Sequence, residues 1–212
     1  YAKDQDLKDP LAHYRAKFHI PKNQNGEEWL YFTGNSLGLQ PKETKNYIQQ
    51  ELDDWANLGV EGHFEAKNPW MPYHEFLTET MAKIVGAKPI EVVIMNTLTT
   101  NLHLLMVSFY QPNELKYKIL IESDAFPSDR YAVETQLKYH GYNPLESLIE
   151  WSPRKGETLL NIVDLESILH KHGHEIALLL IGGVNYYTGQ YLDLKKICEL
   201  GHKKGCKVGI DL

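Results

Sequence analysis

Short apolar runs alternate with segments of helical spacing between residues 92 and 210, and this alternation constrains the fold more than any other feature. Strands are predicted at residues 92–95, 118–121, 176–181 and 207–210, and helices at residues 98–110, 128–140, 163–172 and 194–204. Apolar runs of this kind are typical of strands buried on both faces, which occur in parallel sheets covered by helices. The pattern therefore predicts an α/β fold with a mostly parallel central sheet flanked by helices.

The N-terminal part of the chain has a different pattern. Prolines at positions 10, 21 and 41 interrupt an irregular stretch, and the spacing of apolar side chains predicts a helix over residues 42–58. We therefore expect an N-terminal irregular segment with its helix at residues 1–60, followed by a sheet-containing domain at residues 61–212.

The composition argues against several classes of partner. In 212 residues, 22 Lys and Arg against 28 Asp and Glu give a net charge of −6, which argues against nucleic acid or an anionic membrane surface as the main partner. Two cysteines, Cys198 and Cys206, are too few for a disulfide scaffold and favour a reducing cytoplasm. Polar residues interrupt the longest uncharged run, at residues 92–113, so no transmembrane segment is expected.

No metal site is expected from the histidines. His170, His172 and His174 alternate as ligands on a strand would, but the surrounding pattern predicts the end of a helix followed by a turn at Gly173. Histidines near a helix C-terminus are commonly solvated and interact favourably with the helix dipole. The glycine motifs of dinucleotide-binding and P-loop proteins are also absent from the sequence.

The segments that follow the predicted strands are the candidate site, because parallel sheets bind ligands at the carboxyl ends of their strands. Residues 96–101, with the sequence Asn-Thr-Leu-Thr-Thr-Asn, follow the first strand and begin a helix. Free N–H groups and the helix dipole favour an anion such as phosphate at this position. Capping of the helix by a Thr or Asn side chain is the alternative and, for this segment alone, the more common situation.

Two further strand ends have side chains suited to a heterocyclic ligand. After the second strand, Phe126 offers a flat aromatic face and Asp129 a carboxylate, although Ser128 or Asp129 could instead cap the next helix. Asp211 ends the last strand and could pair with a protonated ring nitrogen or form a strand-end cap. An anion site, an aromatic face and a carboxylate at neighbouring strand ends are together suited to pyridoxal phosphate (PLP).

Four stretches of the chain resemble the kynureninase family of PLP-dependent enzymes. They are residues 31–41 (YFTGNSLGLQP), 96–106 (NTLTTNLHLLM), 125–129 (AFPSD) and 187–190 (YTGQ). The resemblance extends from about residue 30 to residue 212 and implies the PLP-dependent transferase fold type I. It also implies that residues 1–60 contribute to a small domain, that residues 61–212 form the front part of the PLP-binding large domain, and that the chain is the N-terminal portion of a longer enzyme.

The resemblance implies hydrolysis of L-kynurenine, of 3-hydroxykynurenine or of both, which yields L-alanine and anthranilate or 3-hydroxyanthranilate. A role in tryptophan catabolism and in NAD biosynthesis, a cytoplasmic location and a homodimer are implied with it. One alternative is another fold-type-I enzyme, such as a cysteine desulfurase-like lyase. The other alternative is a fragment without catalytic activity.

Cofactor contacts are implied for residues at three strand ends, which are Leu98, Thr99, Phe126, Pro127, Ser128, Asp129 and Asp211. By the resemblance, Leu98 and Thr99 would hold the phosphate, and Phe126 would stack on the pyridine ring. Asp129 would form a hydrogen bond to the cofactor nearby, and Asp211 would pair with the ring nitrogen.

Substrate contacts are implied for a different part of the chain. Ser36 and His63 match family positions near the aromatic ring of the substrate, with Asn35 and Trp70 as neighbours. The position of Gly182 can be a serine in relatives, so a hydroxyl contact to the cofactor is missing in this chain.

The lysine that binds the cofactor covalently in this family lies well beyond Asp211. No lysine of this chain matches its position, and Lys207 begins its predicted strand at the end far from the candidate site. The chain is therefore expected to contain most of the cofactor site without that lysine.

Overall fold

The computed structural model describes all 212 residues, which fold into two compact units, Tyr1–Ile94 and Met95–Leu212. The boundary between the units lies further along the chain than residue 60, where the sequence pattern changes. The assignment of residues 1–60 and 61–212 to a small and a large domain stays a prediction. None of the helices is both long enough and apolar enough to cross a membrane.

The first unit is mostly helical, with short 3-10 turns and irregular segments between its helices. The α-helices are α1 (Ala2–Lys8), α2 (Thr44–Leu58), α3 (Gly62–Glu65) and α4 (Thr78–Val85). Helix α2 confirms the helix predicted over residues 42–58. It ends at Gly59, whose φ of 55° is a backbone conformation that favours glycine.

The strand predicted over residues 92–95 is wrong. These residues are not in a strand, none of the four strands of the sheet pairs with them, and the side chain of Val93 is 56% exposed. A β-strand is stabilised by hydrogen bonds to a neighbouring strand, so an apolar segment without such a neighbour does not form one. The helix that follows this segment is nevertheless formed where it was predicted.

The second unit contains a four-stranded parallel sheet with the strand order β2-β1-β3-β4. The strands are β1 (Lys118–Glu122), β2 (Leu148–Trp151), β3 (Ile176–Gly182) and β4 (Lys207–Asp211). The helices are α5 (Leu98–Phe109), α6 (Pro127–Tyr139), α7 (Pro144–Ser147), α8 (Ile162–His172) and α9 (Leu194–Lys203). The predicted α/β fold is confirmed, whereas β2 was not predicted because its short run, Leu-Ile-Glu-Trp, is interrupted by a charge.

Two apolar cores lie on the two faces of this sheet. On one face, Met106 of α5 and Leu137 of α6 pack against Ile121 of β1. On the other face, Leu165 of α8 and Ile197 of α9 pack against neighbouring residues of the same strands. Alternate residues of a strand point to opposite faces, so the strands must be apolar throughout rather than at every second position.

The carboxyl ends of the parallel strands meet at one edge of the sheet. Gly182 at the end of β3 is paired with Asp211 at the end of β4, and β1, which pairs with β3, ends at Glu122. Helix α6 begins five residues after β1, so its first turn also lies near this edge. The fold thereby brings together residues that are widely separated in the sequence.

Candidate active site

Two carboxyl groups from distant parts of the chain meet at the carboxyl edge of the sheet. Asp129 lies in the first turn of α6, is 7% exposed, and has its carboxyl group within hydrogen-bonding reach of that of Asp211. Burial raises the pKa of Asp129 to about 6, with further contributions from the charge and the hydrogen bond of Asp211. The hydroxyl of Ser128, which donates to Asp129 Oδ1 at 3.3 Å, partly opposes this rise. Asp129 therefore holds its proton to a higher pH than an ordinary aspartate does.

A third carboxyl group, that of Glu122, lies at the end of β1 and is 5% exposed. Its Oε1 accepts a hydrogen bond of 3.1 Å from the N–H of Gly182. Burial raises the pKa of Glu122, backbone hydrogen bonds oppose the rise, and the charge of Asp211 adds to it. The sequence reasoning missed Glu122, although a charge at the end of a buried apolar run was a signal that could have found it.

No basic side chain forms an ion pair with Glu122, Asp129 or Asp211. The ion pairs of the second unit all involve other carboxylates, which are exposed or half-buried. Buried carboxylates are costly unless a positive partner or hydrogen-bond donors compensate them. This edge of the sheet is therefore electrostatically suited to a protonated nitrogen of a ligand.

The N-terminus of α5 presents free N–H groups without a side-chain cap. Thr97 is the N-cap residue and its side chain makes no capping hydrogen bond; its hydroxyl lies 3.1 Å from that of Thr100 instead. The alternative of side-chain capping is therefore wrong for this helix. Leu98 and Thr99, in the first turn, are exposed, so their N–H groups are suited to an anion.

A cavity of about 360 Å³ extends from the start of α5 to the carboxyl edge of the sheet, called here the acidic edge because Glu122, Asp129 and Asp211 lie there. Leu98 and Asn101 of α5 line it together with Asp211 of β4, and most of the remaining wall is apolar. Phe126 and Asp129 are not among its lining residues. The volume is within the range of small-molecule sites, and the cavity brings the predicted phosphate site and Asp211 together.

Phe126 lies at the N-cap position of α6 and is 50% exposed, and Pro127 occupies the first turn of that helix. No side chain caps α6, so capping by Ser128 or Asp129 is also wrong. The ring of Phe126 contacts the ring of Tyr186 edge to face, with the centroids 5.2 Å apart. The sequence reasoning did not single out Tyr186, whose contact with Phe126 depends on the tertiary fold.

Tyr186 lies in a loop that follows β3 and is ordered by a buried amide. The Oδ1 of Asn185 accepts hydrogen bonds from the N–H groups of Tyr187 and Thr188 at 3.1 and 2.9 Å, and from the hydroxyl of Thr188 at 3.0 Å. The turn in this loop contains Gly189, whose φ of 71° is a backbone conformation that favours glycine. The loop thus holds Tyr186 in place against Phe126.

Lys207 lies at the opposite end of β4 from Asp211. It lines the same cavity, but it precedes Asp211 by four positions along the strand, which corresponds to about 13 Å. Lys207 is therefore far from the acidic edge, as the sequence suggested.

Ser36 and His63 both lie in the first unit. Ser36 is in an exposed turn, where its N–H donates to the carbonyl of Thr33 at 2.9 Å. His63 lies in α3, with Nδ1 2.9 Å from the carbonyl oxygen of Val60. Its ring contacts that of Trp70 edge-on, with the centroids 5.4 Å apart.

Trp70 is held in place by two neighbours. Its Nε1 donates a hydrogen bond of 3.0 Å to Oε2 of Glu51 in α2, and its ring lies directly over Gly62 in α3, where a Cβ would be 2.4 Å away. Asn35, the other predicted neighbour of the substrate, lies in the exposed turn beside Ser36.

The histidines near the end of α8 lie at a helix terminus, where one of them contacts a carboxylate. The helix ends at His172, and Gly173 follows it. His172 lies 3.1 Å from a carboxylate oxygen of Glu175, which also pairs with Lys118 at 3.1 Å. No group of three or more His, Cys, Asp or Glu side chains in the structure is arranged to bind a metal ion.

Comparison with known sequences connects this arrangement to one family. The chain is 52% identical over 212 residues to the kynureninase of Myxococcus xanthus and 53% identical over 212 residues to that of Flavobacterium johnsoniae. The kynureninase of Nematostella vectensis is 45% identical over 223 aligned residues. The chain is a homologue of the kynureninases. No model of a known protein family matches it.

The alignment with the kynureninases covers this whole chain but only part of each relative. It covers 100% of the chain and 50% of the Myxococcus xanthus and Flavobacterium johnsoniae proteins, and 48% of the Nematostella vectensis protein. The chain therefore spans about half the length of the kynureninases it matches.

Comparison with solved structures confirms the fold. The cysteine desulfurase CsdA of Escherichia coli has a TM-score of 0.68 at 16% identity, with 96% of this chain and 48% of that chain covered. A C-DES mutant with glycine covalently linked to its PLP cofactor has a TM-score of 0.63 at 14% identity, with 82% and 43% covered. At such low identity these likenesses show only the shared fold, which is PLP-dependent fold type I.

Proposed function

We propose that this chain forms most of the PLP site of an enzyme that hydrolyses L-kynurenine, 3-hydroxykynurenine or both. The products would be L-alanine and anthranilate or 3-hydroxyanthranilate. The observation that carries the proposal is the 45–53% identity to kynureninases across the whole chain. The cofactor is supported independently by the acidic edge of the sheet, which has buried carboxyl groups and no positive partner.

The residues present fit PLP in three places. The free N–H groups of Leu98 and Thr99 at the start of α5 are suited to its phosphate. Phe126 presents a half-exposed aromatic face for its ring. Asp211, which shares a cavity with Leu98, is suited to the protonated ring nitrogen. Bound PLP supplies a conjugated ring that accepts the electron pair released when a bond to the substrate α-carbon breaks.

The side chains of this chain orient the cofactor and hold protons. Asp211 would keep a proton on the pyridine nitrogen, because an ionised carboxylate stabilises the charged form of its partner. Asp129 would accept or share a proton with Asp211 and so adjust the charge at that nitrogen. Pro127 and Ser128 fix the first turn of α6, where the Ser128 hydroxyl donates to Asp129.

Substrate recognition is assigned to the first unit. His63 and Ser36 are proposed to contact the aromatic ring of the substrate, with Asn35 and Trp70 beside them. The edge-on contact between His63 and Trp70 supports this assignment locally, since it gives His63 a fixed orientation. A ring nitrogen of His63 would then be available to donate a hydrogen bond to the substrate.

The lysine that binds PLP covalently is proposed to lie outside these 212 residues. The relatives are about twice as long as this chain, and Lys207 lies at the wrong end of β4. A homodimer is also proposed. Helix α2 supports it with an exposed apolar face that includes Tyr47, Ile48 and Trp55.

A cytoplasmic enzyme of tryptophan catabolism, with a further role in NAD biosynthesis, completes the proposal. The location is supported by the cysteines, because Cys198 and Cys206 are both free and structural disulfides are rare in a reducing compartment.

A chimera tests the proposed reaction. The corresponding half of the Myxococcus xanthus kynureninase is replaced by this chain, and anthranilate released from L-kynurenine in the presence of PLP is measured by its fluorescence. We expect turnover, and loss of turnover in the same chimera with Asp211→Ala. A chimera that folds and binds PLP but turns over cysteine and not kynurenine would instead favour a cysteine desulfurase-like lyase.

A further inference from the structure

We infer that Glu122 is a positioning residue of the candidate cofactor site, and that the absence of a side chain at Gly182 leaves room for its carboxylate. The inference rests on the proposed function, since it concerns the site that would hold PLP. Glu122 has no role in the assignments made above, and nothing in the sequence pairs it with Gly182.

The geometry of Gly182 is adapted to the carboxylate of Glu122 in two ways. Its N–H donates a hydrogen bond of 3.1 Å to Glu122 Oε1. A Cβ built on Gly182 would lie 2.9 Å from the same oxygen, which is closer than Cβ atoms approach other atoms in proteins. With a larger residue at this position, the end of the flexible Glu122 side chain would have to shift from the place where it accepts that hydrogen bond.

A shift of the backbone at Gly182 would also shift Asp211, because the two residues belong to neighbouring, hydrogen-bonded strands. Gly182 and Asp211 are paired residues of β3 and β4, and the N–H of Gly183 donates a hydrogen bond of 2.7 Å to the carbonyl of Asp211. Glu122 therefore contacts the residue that is paired with Asp211 in the sheet. The carboxylate acts on the site through Asp211 and not by contact with the cofactor.

Electrostatic repulsion is a second interaction between Glu122 and the acidic pair, which consists of Asp129 and Asp211. The charge of Glu122 adds to the rise in the pKa of Asp129, and the charge of Asp211 adds to the rise in the pKa of Glu122. A residue that only fastened β1 to β3 would affect stability and leave the protonation of Asp129 unchanged. The titration of Asp129 therefore separates a positioning role from a merely structural one.

The first experiment measures this titration in the ligand-free chain by carbon-detected NMR of the Asp129 carboxyl group. Glu122→Gln keeps the size of the side chain and removes its charge, and Glu157→Gln removes an exposed carboxylate as a control. We expect Glu122→Gln to lower the titration midpoint of Asp129 from about 6, while burial and Asp211 keep it above the ordinary value of 3.8. Glu157→Gln should leave it unchanged. A folded Glu122→Gln chain with the wild-type midpoint overturns the inference.

The second experiment is a double-mutant cycle on PLP affinity, followed by fluorescence titration. Gly182→Ala should weaken binding about three- to tenfold, as expected for one displaced, partly buried charge. In the Glu122→Ala background, where the space is free, Gly182→Ala should have little further effect. Fully additive effects of the two substitutions overturn the inference.

The two experiments distinguish failure of this inference from failure of the proposed function. If the wild-type chain does not bind PLP, the proposed cofactor site fails, and the NMR titration still tests the contact between Glu122 and the acidic pair. If the wild-type chain binds PLP and neither substitution changes affinity or titration, the site stands and the role of Glu122 is rejected.

Discussion

Asp129 in α6 and Asp211 at the end of β4 hold their carboxyl groups within hydrogen-bonding reach of each other. The two carboxylates repel each other when both are ionised, and with the burial of Asp129 this raises the pKa of Asp129 to about 6. A protonated nitrogen placed beside Asp211 would relieve that repulsion. The protonation of Asp129 is therefore linked both to the stability of the chain and to ligand binding.

Asp129 is expected to make the ligand-free chain less stable as the pH rises. Its pKa is raised in the folded state, so the folded state binds this proton more tightly than the unfolded state does. The resulting stabilisation is complete below about pH 4 and is lost as the pH rises through about 6. We expect this group to lower the free energy of unfolding by about 1–3 kcal/mol over that interval. Urea unfolding monitored by the fluorescence of the buried Trp151 measures the change.

Matched variants identify the group responsible. Asp129→Asn should lose this part of the pH dependence, whereas Asp6→Asn, at an exposed position in α1, should keep it. The same slope between about pH 4 and pH 7 in Asp129→Asn and in the wild-type chain would show that another group titrates there.

Asp211→Asn is expected to weaken PLP binding by about tenfold or more. A hydrogen bond to a charged group contributes roughly 1.5–3 kcal/mol, and the amide cannot stabilise a protonated nitrogen as the carboxylate does. The dissociation constant is measured from the change in cofactor absorbance on titration.

Asp164→Asn is the control for Asp211→Asn, since it removes a partly exposed carboxylate that pairs with Arg154 at 2.9 Å. Such pairs contribute little, so its PLP affinity should remain that of the wild-type chain. Equal affinities for all three proteins would exclude Asp211 as the partner of the ring nitrogen.

Tyr186 is expected to support the ring-stacking face of Phe126. The edge-to-face contact between their rings contributes roughly 0.5–1.5 kcal/mol beyond the area it buries. Tyr186→Ala should therefore weaken PLP binding about two- to tenfold, whereas Tyr186→Phe, which keeps the ring, should bind as the wild-type chain does. Loss of affinity in Tyr186→Phe as well would assign the effect to the hydroxyl group and not to the ring contact.

Gly62→Ala is expected to destabilise the first unit. Its Cβ would lie 2.4 Å from the ring of Trp70, and overpacking of this kind costs about 1–3 kcal/mol. Thermal unfolding followed by calorimetry measures the loss. Gly34→Ala is the control, because no atom lies within 4 Å of the added Cβ at that position. Equal stability of the two variants would mean that Trp70 moves aside without cost.

The sequence was sufficient for the elements of the second unit that are buried on both sides. The middle residues of strands β1 and β3 are apolar without interruption because helices cover both faces of the sheet, and this pattern is visible without any tertiary information. The segment 92–95 has the same composition but is not a strand, because a strand also needs a neighbour with which to pair. That neighbour is a property of the tertiary structure and is not encoded locally.

The residues of the candidate site could be predicted from the sequence where the order of strands and helices alone determines which residues lie close together. Asp129 and Asp211 follow strands of one parallel sheet, so their proximity follows from the order of elements. Glu122 was missed because a charged residue at the end of a strand is usually solvated, and only the packed structure shows that it is buried. Helix capping at Thr97 was the more common expectation, and only the coordinates of its hydroxyl group overturn it.

The position of strand β4 at the edge of the sheet affects how these measurements should be made. The strand lies at one end of the strand order, so one row of its N–H and C=O groups has no strand beside it. Such an edge is a template for self-association, since a second polypeptide can add to it by main-chain hydrogen bonds alone. Affinities and unfolding curves of the isolated chain should therefore be recorded at several protein concentrations, because edge-to-edge aggregation would hide Asp211, the last residue of that strand, from its ligand.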